Sequence, residues 1–108
     1  MATYEDWEAL KVRIGTVVRT EPNTTARDPS YRMWIDFGEL GVLQSSAKLT
    51  EHYGADELIG SQIVAVTGFD PMRVGGFRSD VLVLGAMTPG GVVLLRPDQD
   101  VAAGTDVA

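Results

Sequence analysis

Two stretches of alternating residues constrain this chain more than anything else in it. Val12, Ile14, Thr16 and Val18 alternate with Arg13, Gly15, Val17 and Arg19, and Tyr31, Met33, Ile35 and Phe37 alternate with Arg32, Trp34 and Asp36. A period of two sends successive side chains to opposite faces of a sheet, which a helix cannot do. Gly15 inside the first run predicts a bulge or a sharp bend, of the kind a small barrel uses to turn a corner. Trp34 falls on the otherwise polar face, so it is either packed under a neighbouring element or part of an interface.

The rest of the chain is also cut into short pieces. Val42–Gln44 reads as a third strand, and Ile63 to Val66 as a continuous apolar strand buried on both faces. Val81–Leu84 and Val92–Leu95 flank "TPGG" and read as a hairpin. "EPNTTARDPS" and "GFDPMRVGGFRS" are loops by their Gly, Pro, Asn and Ser content. Two or three short helices interrupt the strands. Thr3 caps one over Tyr4–Leu10, with Asp6 at the capping-box position and Trp7 and Leu10 on one face. Ala47–Tyr53 has room for about two helical turns before Gly54 stops them, and "ADELIG" reads as another short turn of helix. The expected architecture is mainly all-β. It is a five-stranded OB-fold barrel with one short helix after the third strand, a short N-terminal helix and an additional C-terminal hairpin, in a single domain over residues 1–108.

Composition narrows the function. The 108 residues are 44% hydrophobic and 22% charged and include no cysteine, which excludes disulfides and thiolate metal sites. No apolar run approaches a membrane span of roughly 20 residues. The first lysine, Lys11, follows Glu5, Asp6 and Glu8, the wrong order for a secretory signal, so a cytoplasmic location is expected. The formal net charge of −6 argues at first against nucleic acid. The acids are concentrated at the two ends, however, and the middle of the chain is neutral, which leaves room for a local basic face.

The stretch "LGVLQSSAKLT" raises the question of catalysis. Ser45 and Ser46 lack a G-x-S-x-G context, and the single histidine, His52, lies nearly two helical turns from Ser46 if the helix there forms. Nucleophilic chemistry needs a base within hydrogen-bond reach and a group to orient it. Neither metal-ligand spacing nor a phosphate-binding glycine motif is present. No catalytic residue, metal or cofactor is expected, and His52 reads as a surface residue. The simplest role for Ser46 is to cap the helix that follows. Lys48 in the first turn of that helix is a weak pointer to an anionic ligand.

"SYRMWIDFG", "GVLQSSAKLT", "ELIGSQIVAV" and "SDVLVLG", in this order and spacing, resemble the tRNA-binding-domain family in its small CsaA-type branch. The resemblance runs from about Asp6 to Pro97. It implies an OB-fold barrel that forms homodimers and is not an enzyme. It further implies that tRNA is bound in some members, and non-native polypeptides such as export pre-proteins in the CsaA type. The family's Ser-Ser-Ala is present as Ser45, Ser46 and Ala47. Its N-F-P-P-R-x-I loop appears as Gly68, Phe69, Asp70, Pro71, Met72, Arg73 and Val74, followed by Ser79 and Asp80. Its A-R-K-P-x-Y-K appears as Ala26, Arg27, Asp28, Pro29, Ser30, Tyr31 and Arg32. The replacements Asp28, Gly68, Asp70 and Met72 each remove positive charge or a hydrogen-bonding group, and so bear on tRNA affinity more than on the fold.

Two functions follow as expectations. The first is binding of tRNA or other structured RNA. Arg27, Arg32, Lys48, Arg73 and Arg78 would form the basic face, and Ser45, Ser46 and Ser79 would bond phosphate or sugar. Phe77 and Tyr31 are candidate stacking faces, Tyr31 being drawn toward the core. The bland alternative is that five cations on a neutral barrel are a solvated surface. The second is capture of unfolded polypeptide on Phe69, Met72, Val74 and Phe77, which could instead simply close the barrel end. For a homodimer, Trp34, Val81, Val83, Val92 and Leu94 are the expected interface.

Overall fold

A computed structural model describes residues 1–108. In chain order the elements are helix α1 (Tyr4–Leu10), strands β1 (Val12–Pro22) and β2 (Tyr31–Asp36), a 3₁₀ turn over Gly38–Leu40, β3 (Val42–Ala47), helix α2 (Ala55–Leu58), β4 (Gln62–Val66), β5 (Met72–Val74), β6 (Phe77–Ser79), β7 (Leu82–Val83), β8 (Gly85–Thr88) and β9 (Gly91–Leu94). Five strands, in the order β3-β2-β1-β4-β7, make one antiparallel sheet that curls into a nearly closed OB-type barrel. The β5–β6 hairpin bridges the remaining gap. Its last residues lie along β3, where the Asp80 amide donates to the Gln44 carbonyl at 2.8 Å and the Ser46 amide to Ser79 Oγ at 2.9 Å. The barrel is filled by Val17, Met33, Ile35, Phe37, Leu49, Leu58, Ile63, Ala65, Val81 and Leu94.

The first strand is bent, though not where its glycine suggested. Gly15 and Val17 face the barrel core, Val12 and Ile14 are buried outside the core cluster, and after exposed Val18 it is Thr20 that stands opposite core Met33, so the inward face changes parity between Val17 and Thr20. The register against β2 shifts between Val17 and Arg19, which places the bulge at Val18 rather than at Gly15. A bulge inserts one residue and turns the following side chains over. Thr20 then pairs with Met33, while Arg19 and Glu21 come into register with Trp34 and Arg32. Gly15 has a packing role instead. A Cβ there would stand 2.5 Å from Ile35 Cγ2 and 2.7 Å from Phe37 Cε1, so only glycine lets these two core side chains approach the strand.

Two helices form as expected. In α1, Thr3 Oγ1 accepts from the Asp6 amide and Asp6 Oδ2 accepts from the Thr3 amide at 2.8 Å, a reciprocal cap with Asp in the acid's place. "ADEL" forms α2, and Leu58 is fully buried. The expected helix over Ala47–Tyr53 is absent, and the single short helix after the third strand is α2. Strand β3 continues through Ser45 and Ser46 to Ala47, which pairs with Tyr31. Leu49 then drops into the core. The Tyr31 hydroxyl donates to the Tyr53 carbonyl at 2.7 Å, and the Tyr53 hydroxyl accepts from the Leu94 amide at 3.0 Å. These long-range contacts hold the segment as turns and override its helix propensity. The serine cap on such a helix is therefore corrected as well.

The C-terminal hairpin is offset from its expected strands. Leu82–Val83 belongs to the barrel through β4, and the hairpin pairs Gly85–Thr88 with Gly91–Leu94. The tail then returns to β1. The Gly104 amide donates to the Ile14 carbonyl at 2.7 Å, the Ile14 amide to the Thr105 carbonyl at 2.9 Å and the Val107 amide to the Val12 carbonyl at 2.9 Å. Arg13 pairs with Asp106 at 3.2 Å. The tail thus covers the edge that β1 would otherwise expose where β2 has diverged from it. No helix is long and apolar enough to cross a membrane.

The crowding at Gly15 gives a direct test. Gly15→Ala should lower stability by about 1–3 kcal/mol through overpacking against Ile35 and Phe37. A urea midpoint equal to that of the wild type would show that the core yields freely there.

Candidate functional site

The register sets out a grid on the outer face of β1, β2 and β3. One row runs Glu21, Arg32, Ser46 and the next runs Arg19, Trp34, Gln44. The hairpin continues both rows, because Gln44 Nε2 donates to the Arg78 carbonyl at 2.7 Å and Ser79 meets the Ser46 amide. Aromatic and guanidinium groups stack across this surface. The Arg19 guanidinium lies 4.4 Å above the Trp34 ring, the Trp34 and Phe77 rings meet edge to face at 5.6 Å, and the Arg32 guanidinium lies 4.9 Å from the Phe77 ring. Such stacking holds a cation in place while leaving its donors available.

Asn23 ties the grid to the loop that follows β1. It is buried, and its Nδ2 donates to Ser46 Oγ at 3.2 Å and to the Val74 carbonyl at 3.5 Å. Its Oδ1 accepts from Thr25 Oγ1 at 3.0 Å and from Arg32 Nε at 3.2 Å. Arg32 Nη2 reaches Thr25 Oγ1 at 3.1 Å, and Thr25 Oγ1 also lies against the Gly75 carbonyl. At Gly75 (φ +57°) a Cβ would stand 2.5 Å from Ala26 Cα, so the loop lies directly against the hairpin turn.

These contacts gather most of the expected basic residues around one joint. Arg32 stands on the grid, and Arg27 follows Ala26 in the loop that touches the hairpin. Lys48 reaches over to the loop and pairs with Asp28 at 2.8 Å. Arg73 and Arg78 are directly opposite each other on the hairpin, both exposed. Like charges facing across a strand pair are destabilising. Arg78 is partly offset by Asp80 at 3.0 Å, whereas Arg73 reaches only the Gly76 carbonyl at 3.2 Å.

The hydroxyls and rings are less available than their positions in the sequence implied. Ser45 is buried and bonds the Ser46 carbonyl, and Ser79 is buried and accepts from the Ser46 amide. Ser46 Oγ lies between Asn23 and Ser30. Ser46 and Ser79 are occupied in joining strand, loop and hairpin, and Ser45 is turned inward onto its own strand. Tyr31 turns toward the core to reach Tyr53, and Phe77 is buried beneath Arg32, so neither offers an open face for stacking. Trp34 is half-buried, packed against Phe77 and under Arg19.

A second feature lies beside the first. A pocket of about 290 Å³ opens between the hairpin, the end of β3 and β7, and its apolar lining includes Phe69, Met72, Val74, Val81 and Leu82. Phe69 and Met72 are exposed, while Phe77 lies outside this lining. Of the expected interface residues, Val81 and Leu94 are consumed by the core of the single chain and Val83 and Val92 pack against it. Their alternating neighbours Leu82 and Val93 are the exposed ones.

Sequence reading missed three members of this site. Arg19 and Glu21 reach the grid only because the bulge at Val18 turns them outward. Asn23 sits in what composition marks as a loop. The Asn-Thr-Thr sequence could have flagged a side-chain-capped turn, but its bonds to Ser46 and Arg32 are tertiary.

Residues 12–106 match the family model described as "Putative tRNA binding domain". The methionine–tRNA ligase of Methanothrix thermoacetophila is 34% identical over 104 residues, a match that covers 96% of this chain and 15% of that protein. The chain thus spans about 15% of the length of the curated relatives it matches. The crystal structure of the chaperone CsaA from Bacillus anthracis superposes with a TM-score of 0.93 at 51% identity, covering 100% of this chain and 99% of that one. CsaA from Picrophilus torridus superposes with a TM-score of 0.92 at 39% identity, with 100% of both chains covered.

Asn23→Ala should free the loop over residues 24–30 from both sheet and hairpin. Loss of its buried bonds costs about 1–3 kcal/mol. Hydrogen exchange should accelerate in those amides and in the hairpin more than in β4; a uniform change across the barrel would contradict this role for Asn23.

Proposed function

The chain belongs to the tRNA-binding-domain family, in its CsaA-type branch, and from that premise we propose that it binds structured RNA, tRNA first, on the wall formed by β2, β3, the 23–30 loop and the β5–β6 hairpin. The observation that carries this is the Arg73–Arg78 pair. Two exposed arginines stand opposite each other in the register of a hairpin that packs on a third, Arg32, through Phe77. A ligand anion relieves that repulsion, and phosphate suits it because each guanidinium presents a fork of donors. Arg27 and Lys48 extend the wall along the loop. Recognition is by shape and phosphate rather than by stacking, since the aromatic rings of the wall are already covered by arginines. The role is that of a non-enzymatic binder in the cytoplasm, with no cofactor.

The net charge and the paired acids make this binding weak and salt-sensitive. About four neutralised phosphates give a log–log salt slope near −4. In tRNA filter binding, Arg73→Ala should weaken affinity about three- to tenfold and make the slope shallower by about 1. Absence of binding by the folded wild type at low salt would overturn the proposal.

The 290 Å³ apolar pocket favours a second reading, a CsaA-type chaperone that holds segments of non-native polypeptide such as an export pre-protein. Exposed Met72 and Phe69 provide an adaptable apolar mouth. Met72→Gln, which removes the apolar mouth without adding charge beside Arg73, should then abolish suppression of aggregation of a model unfolded protein while changing tRNA binding less than Arg73→Ala does. Equal aggregation with and without the wild-type chain removes this reading.

A homodimer is proposed as the working form. Leu82 and Val93, with the hairpin's exposed Met87, supply apolar surface suited to a twofold contact beside Val83 and Val92. Light scattering at micromolar concentration should give twice the chain mass of 11.6 kDa, and a monomer mass would refute it.

A further inference from the structure

Glu21 occupies an unusual place for an acid on a wall proposed to bind phosphate. Its two carboxylate oxygens face two different arginines. Oε2 lies 3.0 Å from Arg19 Nη2, and Oε1 lies 3.6 Å from Arg32 Nη1. A carboxylate can steady such a pair or compete for it, and the surrounding contacts distinguish the two roles. Arg32 is already fixed by Asn23 Oδ1 on its Nε, by Thr25 Oγ1 on its Nη2 and by the Phe77 ring. Arg19 is already laid on the Trp34 ring. Neither needs Glu21 for its orientation, so what Glu21 adds is negative charge at the point between them.

We propose that Glu21 is a built-in competitor anion: its carboxylate holds the Arg19–Arg32 pair in the free chain, and RNA phosphate must displace it to engage them. The site is open to such an exchange. The Arg19 side chain is 64% exposed and that of Glu21 36%. Glu21 is carried on β1 by a backbone paired with Arg32, so its side chain can swing away without disturbing the sheet. Like-charge repulsion then sets a threshold of anion density. A lone phosphate gains too little to displace the carboxylate, whereas adjacent phosphodiesters of a folded RNA gain from Arg73, Arg78 and Lys48 at the same time. Glu21 therefore acts as a specificity residue for dense polyanions. This inference rests on the RNA-binding reading for its ligand, but not for the competition itself.

Two measurements separate these. In tRNA filter binding across a range of KCl concentrations, Glu21→Gln should bind about three- to tenfold tighter than wild type, because no carboxylate has to be displaced before phosphate engages the two arginines. Equal or weaker binding by the variant overturns the proposal, since it would make Glu21 a support for the arginines. Glu21→Thr, which suits a strand, is run beside it and should shift in the same direction. The second measurement is titration with inorganic tripolyphosphate, followed by NMR of the arginine Nε–H signals. Those of Arg19 and Arg32 should respond at lower concentration in Glu21→Gln than in wild type, and identical responses overturn the proposal. If tRNA binds neither chain but tripolyphosphate separates them, the RNA reading fails and the competitor role stands.

Discussion

Strand β1 has three partners, and every backbone donor and acceptor along it must be met. Its first half pairs with β4 on one side and with the returning tail on the other, and its second half pairs with β2. An unpaired buried amide costs as much as a lost hydrogen bond, so a strand that departs from one neighbour must find another. The divergence of β2 from β1 forces a replacement, which the chain supplies through Gly104, Thr105 and Val107. It is reinforced by Arg13 with Asp106, and by the Gln62 side chain, which bonds both the amide and the carbonyl of Val101. The barrel closes because this one strand is curved, and the tail is ordered for the same reason.

The same curvature shapes the wall proposed to bind RNA. Had β1 run straight from Val17 onward, Arg19 would face Met33 in the core. The bulge at Val18 moves it into register with Trp34 and brings Glu21 opposite Arg32. Packing and electrostatics then act on one set of groups. Trp34 and Phe77 shield the joint between sheet and hairpin, and the arginines lie on the rings, Arg19 largely exposed and Arg32 bonded to Asn23 and Thr25. The serines that a reader of the sequence would assign to ligand instead connect the elements: Ser46 receives Asn23 and meets Ser30, and its amide is satisfied by Ser79. The elements of this surface are thereby tied together by partly buried side-chain hydrogen bonds.

The acids form a pattern of their own. Lys48 has Asp28, Arg78 has Asp80, and Arg19 and Arg32 share Glu21. Surface pairs of this kind contribute little to stability, about 0–1 kcal/mol each. Their larger effect is on binding, because each neutralises a cation that a phosphate would use. Arg27 and Arg73 alone among the wall's cations pair with no acid, and Arg73 faces another arginine. Attraction for an anion is therefore strongest at the hairpin and weakest at the grid, where it is conditional on Glu21 giving way. The apolar pocket opens beside that hairpin and shares Ser46 and Ser79 with the grid, so the short β5–β6 unit contributes to both a basic surface and a greasy one.

Much of the protein's class was legible in local sequence: strands from alternation, turns from glycine and proline, the Thr3 cap and the short helix at Ala55. Those signals are local, carried by neighbours within a few positions. Its errors fell where local preference lost to distant contacts. Ala47–Tyr53 has helical propensity, but strand pairing with Tyr31, burial of Leu49 and the Tyr53–Leu94 bond hold it open. Only the tertiary structure decided which face Arg19 and Glu21 occupy, that Asn23 joins the loop to the sheet, and that Val81 and Leu94 lie in the core. A shift of one residue in register reverses every side chain beyond it, and register is settled by what the far strand places opposite, which no stretch of β1 contains.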